Sequence, residues 1–322
     1  MRAVVYTAAG GIEVIDLREV PAPDPGSGQI RVRVRAAGLN RADIHQRRGN
    51  YAAPPGWPAD IPGLEYAGEV ESLGAHVSRW SVGDRVMGLV GGGAHAAMVV
   101  VHQDEALSVP PGMSFTDAAA IPEAFLTAWD ALHVRGRLAP GERVLIHAVA
   151  SGVGTAAIQV ARLLGAGTVL GTSRTANKLD RAREYGLDVP ILSTSGTLAQ
   201  SIGDPVHVVL DVLGGPAFEE NLALLAPRGR LVLLGFLQGP KATVDLSPIL
   251  RKRLEVIGTV MRTRTLAERV ELIRQFREHF LAFFTDGKAR PVVGAVHSML
   301  EIAAAHQAME RDETFGKVVL AW

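Results

Sequence analysis

A run of small residues near the middle of the chain separates a buried-type strand pattern from an apolar helical pattern. The run is Ser151, Gly152, Val153 and Gly154, between the predicted strand 143–148 and the predicted helix 154–165. Small residues at such a turn let backbone amides at the helix N-terminus approach a pyrophosphate. The usual G-x-G-x-x-G spacing is degraded, with Val149 and Ser151 in place of the first two glycines. We predict a dinucleotide-binding turn, the alternative being an ordinary tight turn.

A hydroxyl and two cations follow at the distance where such sites select their nucleotide. NAD-preferring sites carry Asp or Glu about 20 residues beyond the turn, on the ribose 2′-hydroxyl. Here Ser173 stands 19 residues after Gly154, followed by Arg174 and Lys178. A carboxylate repels a 2′-phosphate, whereas a hydroxyl and two cations bind one. The sequence therefore favours NADPH over NADH; the alternative is that the cations only begin a solvated helix.

Two later strand ends are predicted to face the same crevice. Leu213 follows the predicted strand 206–212, Gly235 ends the predicted strand 230–235, and Phe236 follows it. Ligands of parallel sheets bind outside the carboxyl ends of the strands. These residues are therefore candidate cofactor contacts; the alternative is that they only form ordinary turns.

The secondary-structure elements that must position these residues show two kinds of sequence pattern. Short strand-like runs with Gly/Pro punctuation fill the first ~120 residues and indicate a small barrel or sandwich; they are 2–6, 29–36, 66–73, 85–90 and 96–101. From Met113 onwards, strands alternate with helices, which predicts a parallel, doubly wound sheet. The later predicted elements are strand 168–172, helix 177–185, strand 255–260 and one long helix over 266–284. The tail 292–322 returns to short strands and can rejoin the first part.

The amino-acid composition limits the classes of protein to which the chain can belong. Lys plus Arg and Asp plus Glu both number 33, so no excess charge points to a nucleic-acid partner. The absence of cysteine excludes disulfides, thiolate nucleophiles and Cys-ligated zinc. No stretch reaches the ~18 apolar residues of a membrane helix, and Met1 leads directly into a strand pattern. A cytoplasmic enzyme that contacts no membrane is the expectation.

Several stretches together resemble the medium-chain dehydrogenase/reductase superfamily, and within it the zinc-independent quinone oxidoreductases. They are Gly38–Asp43, Pro62–Gly68, Val82–Val86, Ala119–Ala128, Ser151–Gln159 and Phe315–Leu320. The run Asn40–Asp43, Gln46–Arg47, Pro54–Gly56, Gly91–Gly93 and the unusual Ser151 are most similar to the tumour-suppressor-induced quinone oxidoreductase type. The likeness runs essentially from end to end.

The resemblance implies an α/β fold in which a doubly wound Rossmann domain is inserted in a GroES-like, β-rich catalytic domain. The implied ranges are 1–122 and 291–322 for the catalytic domain and 123–290 for the NADPH-binding domain, with the cofactor cleft between them and a homodimer built through the nucleotide-domain sheets. It also implies site roles: Asn40 and Thr127 near the nicotinamide, Tyr51 near the substrate, Ser173, Arg174 and Lys178 around the 2′-phosphate, and Phe236, Arg264 and Lys317 along the cofactor cleft.

The departures from the family concern metal and nucleotide. Zinc-dependent relatives carry Gly-His-Glu where this chain has Gly63, Leu64 and Glu65. Leu64 cannot bind a metal and Glu65 alone does not make a three-ligand site, so no metal site is predicted. Ser193 stands where many quinone oxidoreductases carry a Tyr beside the 2′-phosphate, which weakens the NADPH assignment without reversing it.

Without a Lewis acid, the acceptor must take up hydride readily by itself. Quinones and α,β-unsaturated carbonyls do so, which predicts NADPH-dependent reduction of a quinone or, alternatively, an enoyl or 2-alkenal reductase. Tyr51 and Asn40 are the candidate catalytic hydrogen-bonding groups, although Tyr51 can equally be a core or rim aromatic. Asp43 either faces the cleft or pairs with Arg41 or Arg47, and His147 is expected to be a satisfied core histidine. A third hypothesis is an NADPH-binding protein with a structural or RNA-binding role.

Overall fold

The computed structural model describes residues 1–193 and 198–322. The strands are β1 Arg2–Tyr6, β2 Ile15–Glu19, β3 Gln29–Leu39, β4 Glu65–Leu73, β5 Arg85–Leu89, β6 Met98–His102, β7 Ala106–Ser108, β8 Arg143–Ile146, β9 Thr168–Ser173, β10 Val189–Leu192, β11 Val206–Asp211, β12 Leu225–Leu233, β13 Glu255–Gly258, β14 Val293–Ser298 and β15 Lys317–Ala321. The helices are α1 Arg41–Arg47, α2 Phe115–Ala118, α3 Pro122–Trp129, α4 Gly152–Leu163, α5 Ala176–Arg183, α6 Leu198–Ile202, α7 Gly215–Leu224, α8 Ser247–Lys252, α9 Leu266–His279, α10 Ala282–Thr285 and α11 Ile302–Glu310.

The chain forms two compact units, one made of residues 1–126 and 261–322 and the other of residues 127–260. The predicted ranges placed the nucleotide domain at 123–290 instead. The difference lies in α9, which packs on β7 and on the turn Gln103–Glu105. Arg269 of α9 forms an ion pair with the buried carboxylate of Glu105 in that turn. A helix that follows the last nucleotide-domain strand in sequence is thus part of the first unit.

The first unit is built on a sheet of order β14-β15-β3-β4-β5-β7, with β6 paired to β3. In β3 the buried residues Ile30, Val32 and Val34 alternate with arginines, the period-2 pattern of a strand with one face in a core. β15 pairs antiparallel with β3, from Val318 opposite Leu39 to Ala321 opposite Ala36. The C-terminal tail therefore completes the sheet begun by the N-terminal segment, as predicted.

The second unit carries a parallel sheet of order β10-β9-β8-β11-β12-β13. The chain runs outward from β8 to β10 and then returns to lay β11 against the other side of β8. Because crossovers between parallel strands are right-handed, the two directions of travel put helices on opposite faces of the sheet. The strand order is that of a Rossmann fold, with the reversal between β8 and β11. The predicted fold class is confirmed.

The predicted single helix over 266–284 is wrong. α9 ends at His279, Phe280 leaves helical geometry with φ −127° and ψ −34°, and α10 begins at Ala282. Phe276, Phe280 and Phe284 are all buried and their rings contact one another and Phe125. Leu266, which shared the apolar spacing, is 42% exposed. The aromatic cluster thus continues across a break in the helix, and a break of this kind does not show in a continuous apolar spacing.

Among the helices within 1–193 and 198–322, none combines the length and the apolar character that a bilayer span requires.

Candidate functional site

The predicted nucleotide turn lies between β8 and α4, at the point where the sheet reverses direction. Ser151 is the N-cap of α4, and its hydroxyl accepts from the Gly154 N–H at 3.0 Å. A Cβ added at Gly154 would lie 2.6 Å from the Val149 Cα and would collide with the Ala148 carbonyl oxygen. Gly154 therefore performs the role of the last glycine of the fingerprint, the close packing of helix on strand.

This helix N-terminus fits a pyrophosphate. Gly152 and Val153 occupy the first turn of α4, whose N–H groups have no carbonyl one helical turn earlier to bond. Gly152 carries no side chain to obstruct an approaching anion, and the dipole of a 12-residue helix favours negative charge there. The degraded glycine pattern thus retains both physical requirements of an anion-binding turn.

The second strand of the sheet ends on the residues predicted to select the nucleotide. Ser173 is the last residue of β9, is buried, and its hydroxyl accepts from the Thr175 N–H at 3.2 Å. Arg174 follows directly and is exposed, and Lys178 is half-buried in the first turn of α5. The three side chains therefore lie within one strand-to-helix connection.

The loops that follow β11 and β12 are held together by backbone hydrogen bonds. The Gln238 N–H donates to the Leu213 oxygen at 2.9 Å and the Gly215 N–H to the Gly239 oxygen at 2.8 Å. Gly214 has a φ of +92°, and a Cβ there would lie 2.7 Å from the Phe236 ring. The structure thus brings Leu213 and Phe236 together, as predicted from their places at strand ends.

One buried carboxylate fixes the first of these loops, the one that follows β11. Asp211 is fully buried, and its Oδ1 accepts from the N–H groups of Leu213 (2.6 Å) and Gly214 (3.2 Å). Gly235, in the other loop, is loosely surrounded: a Cβ added there would approach only the Val212 oxygen, at 3.7 Å. Asp211 escaped the sequence analysis, although a polar residue ending a buried apolar strand is the signal that could have identified it.

His147 is a core histidine, as predicted. It is 1% exposed, its Nδ1 lies 3.0 Å from the Thr172 hydroxyl and its Nε2 lies 2.8 Å from Asn221 Oδ1. Burial lowers its pKa, so the ring is neutral at neutral pH. It ties β8, β9 and α7 together beneath the nucleotide turn.

Thr127 begins the second unit and carries an unsatisfied group. Its side chain is 9% exposed, and within the described residues its hydroxyl has no hydrogen-bond partner. Buried hydroxyls are normally hydrogen-bonded, so an orphan of this kind is a place where a bound polar group completes the structure. The position of Thr127 near the nicotinamide, which the family resemblance implies, stays a prediction.

A second set of predicted site residues lies in the first unit and forms a closed polar cluster. Asn40, the N-cap of α1, donates from Nδ2 to Glu65 Oε1 at 2.9 Å. Lys317 Nζ donates to Asn40 Oδ1 at 2.6 Å and to the Leu39 oxygen at 3.2 Å, and pairs with Glu65 Oε1 at 2.5 Å. Lys317 is 5% exposed and Glu65 is fully buried. The cluster fixes the Asn40 amide with both of its polar atoms in use.

The Asp43 carboxylate binds backbone N–H groups rather than the guanidinium of Arg41 or Arg47. It is fully buried, and its two oxygens accept from the N–H groups of Asn40 (2.8 Å) and Gly63 (3.1 Å). Arg41 pairs instead with Asp312, and Arg47 with Glu310. Both predicted roles of Asp43, facing the cleft and pairing with a neighbouring arginine, are therefore wrong. Local spacing suggested an ion pair, but α1 directs these arginines towards carboxylates near the C-terminus.

Tyr51 is held by an arginine that the sequence analysis did not select. The Arg262 guanidinium lies 4.8 Å from the centre of the Tyr51 ring, and its Nη1 donates to the Tyr51 backbone oxygen at 2.9 Å. Its other nitrogens donate to the Gly91 oxygen (2.8 Å) and to Gln46 Oε1 (2.7 Å). Burial raises the pKa of the half-buried Tyr51 hydroxyl, and the nearby Glu123 adds to that shift. Tyr51 is therefore fixed in place rather than loose in its Pro-rich loop.

Glu123 also escaped the sequence analysis. Its N–H, in the first turn of α3, donates to Glu65 Oε2 at 2.7 Å, so a carboxylate from β4 caps this helix. Burial and, after it, the Glu65 carboxylate raise the pKa of Glu123 to about 8. The only local signal was a Pro-Glu pair at a helix start.

Arg264 lies in the segment between Arg262 and α9. It is half-buried, its N–H donates to the Met261 oxygen at 3.3 Å, and its backbone oxygen accepts from Arg269 Nη1. The structure places it in the first unit with Asn40 and Lys317.

The position of the missing zinc ligand is apolar. Leu64 is buried, and the neighbouring Glu65 has both oxygens engaged by Lys317, Asn40 and the Glu123 N–H. Across residues 1–193 and 198–322, no group of three His, Cys, Asp or Glu side chains is placed to hold a metal ion.

Comparison with known proteins agrees with this geometry. A family described as alcohol dehydrogenase GroES-like domain matches residues 26–111, and one described as zinc-binding dehydrogenase matches residues 152–276. The quinone oxidoreductase of Pseudomonas aeruginosa is 33% identical over 325 residues, 99% of each chain. The synaptic vesicle membrane protein VAT-1 homolog of Rattus norvegicus is 34% identical over 342 residues, 99% of this chain and 84% of that protein.

Solved structures extend the comparison. The quinone oxidoreductase of Pseudomonas syringae superposes with a TM-score of 0.90 at 28% identity, covering 100% of this chain and 99% of that chain. The CurK enoyl reductase superposes with a TM-score of 0.84 at 28% identity, covering 99% and 98%. With the parallel nucleotide sheet and the β-rich first unit, these matches show that the chain belongs to the medium-chain dehydrogenase/reductase superfamily of oxidoreductases.

Proposed function

We propose that the protein reduces a quinone with NADPH, by hydride transfer and without a metal. The observation that carries this proposal is the state of Glu65, whose carboxylate oxygens are both occupied by protein donors beside the apolar Leu64. These side chains provide no metal coordination to polarise a carbonyl, so the acceptor has to be electrophilic by itself. Relatives and structural neighbours named quinone oxidoreductase support the same acceptor class.

NADPH, when bound, supplies the hydride. The first turn of α4 would hold its pyrophosphate, and Ser173, Arg174 and Lys178 its 2′-phosphate. The loops at Leu213, Gly235 and Phe236, with Thr127, Arg264 and Lys317, are the remaining proposed cofactor contacts.

The residues of the first unit act on the acceptor. Tyr51 donates a hydrogen bond to the acceptor oxygen that gains negative charge, and Asn40 is the second polar group that orients the reactants. Lys317 and Glu65 keep the Asn40 amide in one orientation, which avoids reorganisation during the reaction.

The alternative acceptor is an α,β-unsaturated carbonyl, and the similarity to the CurK enoyl reductase favours it. The two candidates share the nucleotide site and differ in their products, a hydroquinone for the first and a saturated carbonyl for the second. Product analysis by mass spectrometry separates them.

The test is NADPH oxidation with a quinone, a 2-alkenal and a simple aldehyde, repeated with NADH and with a chelator. We expect chelator-resistant turnover of the quinone, faster with NADPH than with NADH. In an Arg174→Ala/Lys178→Ala variant, each lost charge-assisted hydrogen bond costs about 1.5–3 kcal/mol, roughly tenfold or more in NADPH affinity, with NADH affinity unchanged. Arg181→Ala, further along α5, is the control. Aldehyde turnover that a chelator abolishes would contradict the proposal.

We further propose a cytoplasmic homodimer that pairs through the nucleotide-domain sheet. β13 is the last strand of that sheet in the described part of the chain, and Val256 on it is 40% exposed. An apolar edge strand of this kind is a template for pairing with a second copy. Cell fractionation tests the location.

A further inference from the structure

Glu123 is a chemically capable group that the proposed mechanism leaves without a role. It lies in the first turn of α3, bonded through its N–H to the carboxylate that also holds Asn40. Its own carboxyl group lines a cavity with Arg262, the residue that holds Tyr51. Glu123 is therefore linked to Asn40 through Glu65 and to Tyr51 through Arg262, the two proposed catalytic residues.

The cavity beside Glu123 is small and mostly apolar. Its volume is about 20 Å³, room for about one water molecule. Its lining is Leu64, Leu89, Val90, Gly91, Glu123, Met261, Arg262, Arg269, Leu272 and Ile273. Arg269 is already paired with Glu105, and each Arg262 nitrogen already donates to a protein oxygen, so the Glu123 carboxyl is the side-chain group left to bind a water there. The Glu123 carboxyl thus has a water-sized space beside the Arg262 guanidinium.

The groups facing Glu123 oppose one another. The carboxylates of Glu65 and Asp43 favour its protonated form, whereas Lys317 and Arg262 favour its ionised form. Burial is larger than any of these effects and gives Glu123 a pKa of about 8. The carboxyl group thus holds its proton at neutral pH and can still release it.

Arg262 links this acid to Tyr51. Its positive charge above the ring opposes the effects that raise the Tyr51 pKa, and so stabilises the phenolate for the instant at which a proton leaves. Arg262 is itself 6% exposed and fixed by three protein acceptors, so this stabilisation is preorganised.

We propose that Glu123 stores the proton consumed in acceptor reduction and delivers it past Arg262, which lines the Glu123 cavity and contacts the Tyr51 ring, to Tyr51. Tyr51 then passes a proton to the acceptor oxygen. The inference rests on the proposed function. Both electrons reach the acceptor with the hydride of NADPH. The Tyr51 O–H bond breaks as the acceptor O–H bond forms, the Glu123 proton restores the tyrosine, and solvent water reprotonates the Glu123 carboxylate. The sum is acceptor, NADPH and one proton giving reduced acceptor and NADP⁺.

The first test is the pH profile of kcat with a quinone for the wild type, Glu123→Gln and the surface control Glu219→Gln. We expect the wild-type and control kcat to fall as the pH rises through about 8. Glu123→Gln should lack this limb, with kcat about 100-fold below wild type at pH 6, the usual lower range for general acid catalysis, and equal to it at high pH. A constant loss at every pH indicates a structural role, and an unchanged profile shows no role; either overturns the inference.

The second test needs no turnover. Because folding raises the pKa of Glu123 from 4.5 to about 8, the folded form binds the extra proton. Its contribution to stability is present below pH 4.5 and is lost as the pH rises through 8. The difference in thermal midpoint, Glu123→Gln minus wild type, should therefore be larger at pH 9 than at pH 5. For Glu219→Gln the same difference should not change with pH. Parallel midpoints would overturn proton storage. If the wild type reduces neither a quinone nor an alkenal, the proposed function fails and the proton-delivery step fails with it. The comparison of thermal midpoints would still show whether Glu123 stores a proton.

Discussion

At the residue scale, the buried pair of Lys317 and Glu65 gives a sharp prediction. Replacing Lys317 with Met preserves its bulk but leaves the fully buried Glu65 carboxylate without its cation. We expect Lys317→Met to lower the free energy of unfolding by about 3–5 kcal/mol, the usual cost of removing one partner of a buried ion pair. Urea denaturation followed by circular dichroism measures it.

The matched control is Lys288→Met, since Lys288 pairs with Asp286 at the surface with its side chain 60% exposed. We expect a loss of at most about 1 kcal/mol there. Glu65→Gln combined with Lys317→Met removes both charges and should recover part of the stability. If the single Lys317→Met variant were as stable as the control, removing Lys317 would not leave Glu65 as an uncompensated buried charge.

The sequence predicted the strand, turn and helix around Ser151 and Gly154, because the pattern for them is local. The pattern around Ser151 and Gly154 is contained in one turn, so spacing alone located it. Glu65 was considered only as a possible metal ligand, because its partner Lys317 lies 252 residues further along the chain. Arg262 and its contact Tyr51 are likewise separated by 211 residues. Partners so distant in sequence leave no local pattern, so these contacts required the fold.

At the element scale, the close packing of α4 on its turn predicts the effect of one methyl group. A Cβ at Gly154 would collide with the Ala148 oxygen and the Val149 Cα, both backbone atoms that cannot rotate away. The turn must shift, and its amides would then lose the alignment that we propose for binding the pyrophosphate. Loss of one or two charge-assisted bonds of about 1.5–3 kcal/mol each predicts that Gly154→Ala weakens NADPH binding roughly tenfold or more. Fluorescence titration of NADPH measures this.

Gly258→Ala in the same unit serves as the control, because a Cβ there meets no atom within 4 Å. It should bind NADPH like the wild type. Equal affinities for Gly154→Ala and Gly258→Ala would show that the turn does not hold the dinucleotide.

The elements themselves followed from periodicity, but their ends did not. The predicted strand 29–36 extends to Leu39, and the predicted strand 230–235 is β12, which begins at Leu225 and ends at Leu233. The extension of β3 comes from its pairing with β15, a partner from the other end of the chain. The apolar spacing over 266–284 was correct for Ile273 and Phe276, yet it could not show that the helix breaks at Phe280. Tertiary packing decides such boundaries.

At the scale of the whole molecule, the discontinuous first unit was predictable because the strand-rich texture returns in the tail. The assignment of α9 was not, since its amphipathic pattern is compatible with packing on either unit. The ion pair between Arg269 and Glu105 and the packing on β7 associate it with the first unit. Consequently Arg262, just before α9, stands beside Tyr51 rather than in the nucleotide fold.

The association state provides the remaining prediction. The β13 strand offers Val256 and Ile257, and its one charged residue, Glu255, is paired with Arg137 of the same unit. Leu250 on the preceding α8 is 81% exposed. We expect the wild type to be a dimer by light scattering, and Val256→Lys with Leu250→Lys to be a monomer, because charged side chains on an edge strand oppose pairing. Val296→Lys on β14, where Val296 is 51% exposed, tests an exposed valine on an edge strand of the other sheet and should remain dimeric. If the β13 variant kept the dimer mass, or Val296→Lys lost it, the interface would lie elsewhere.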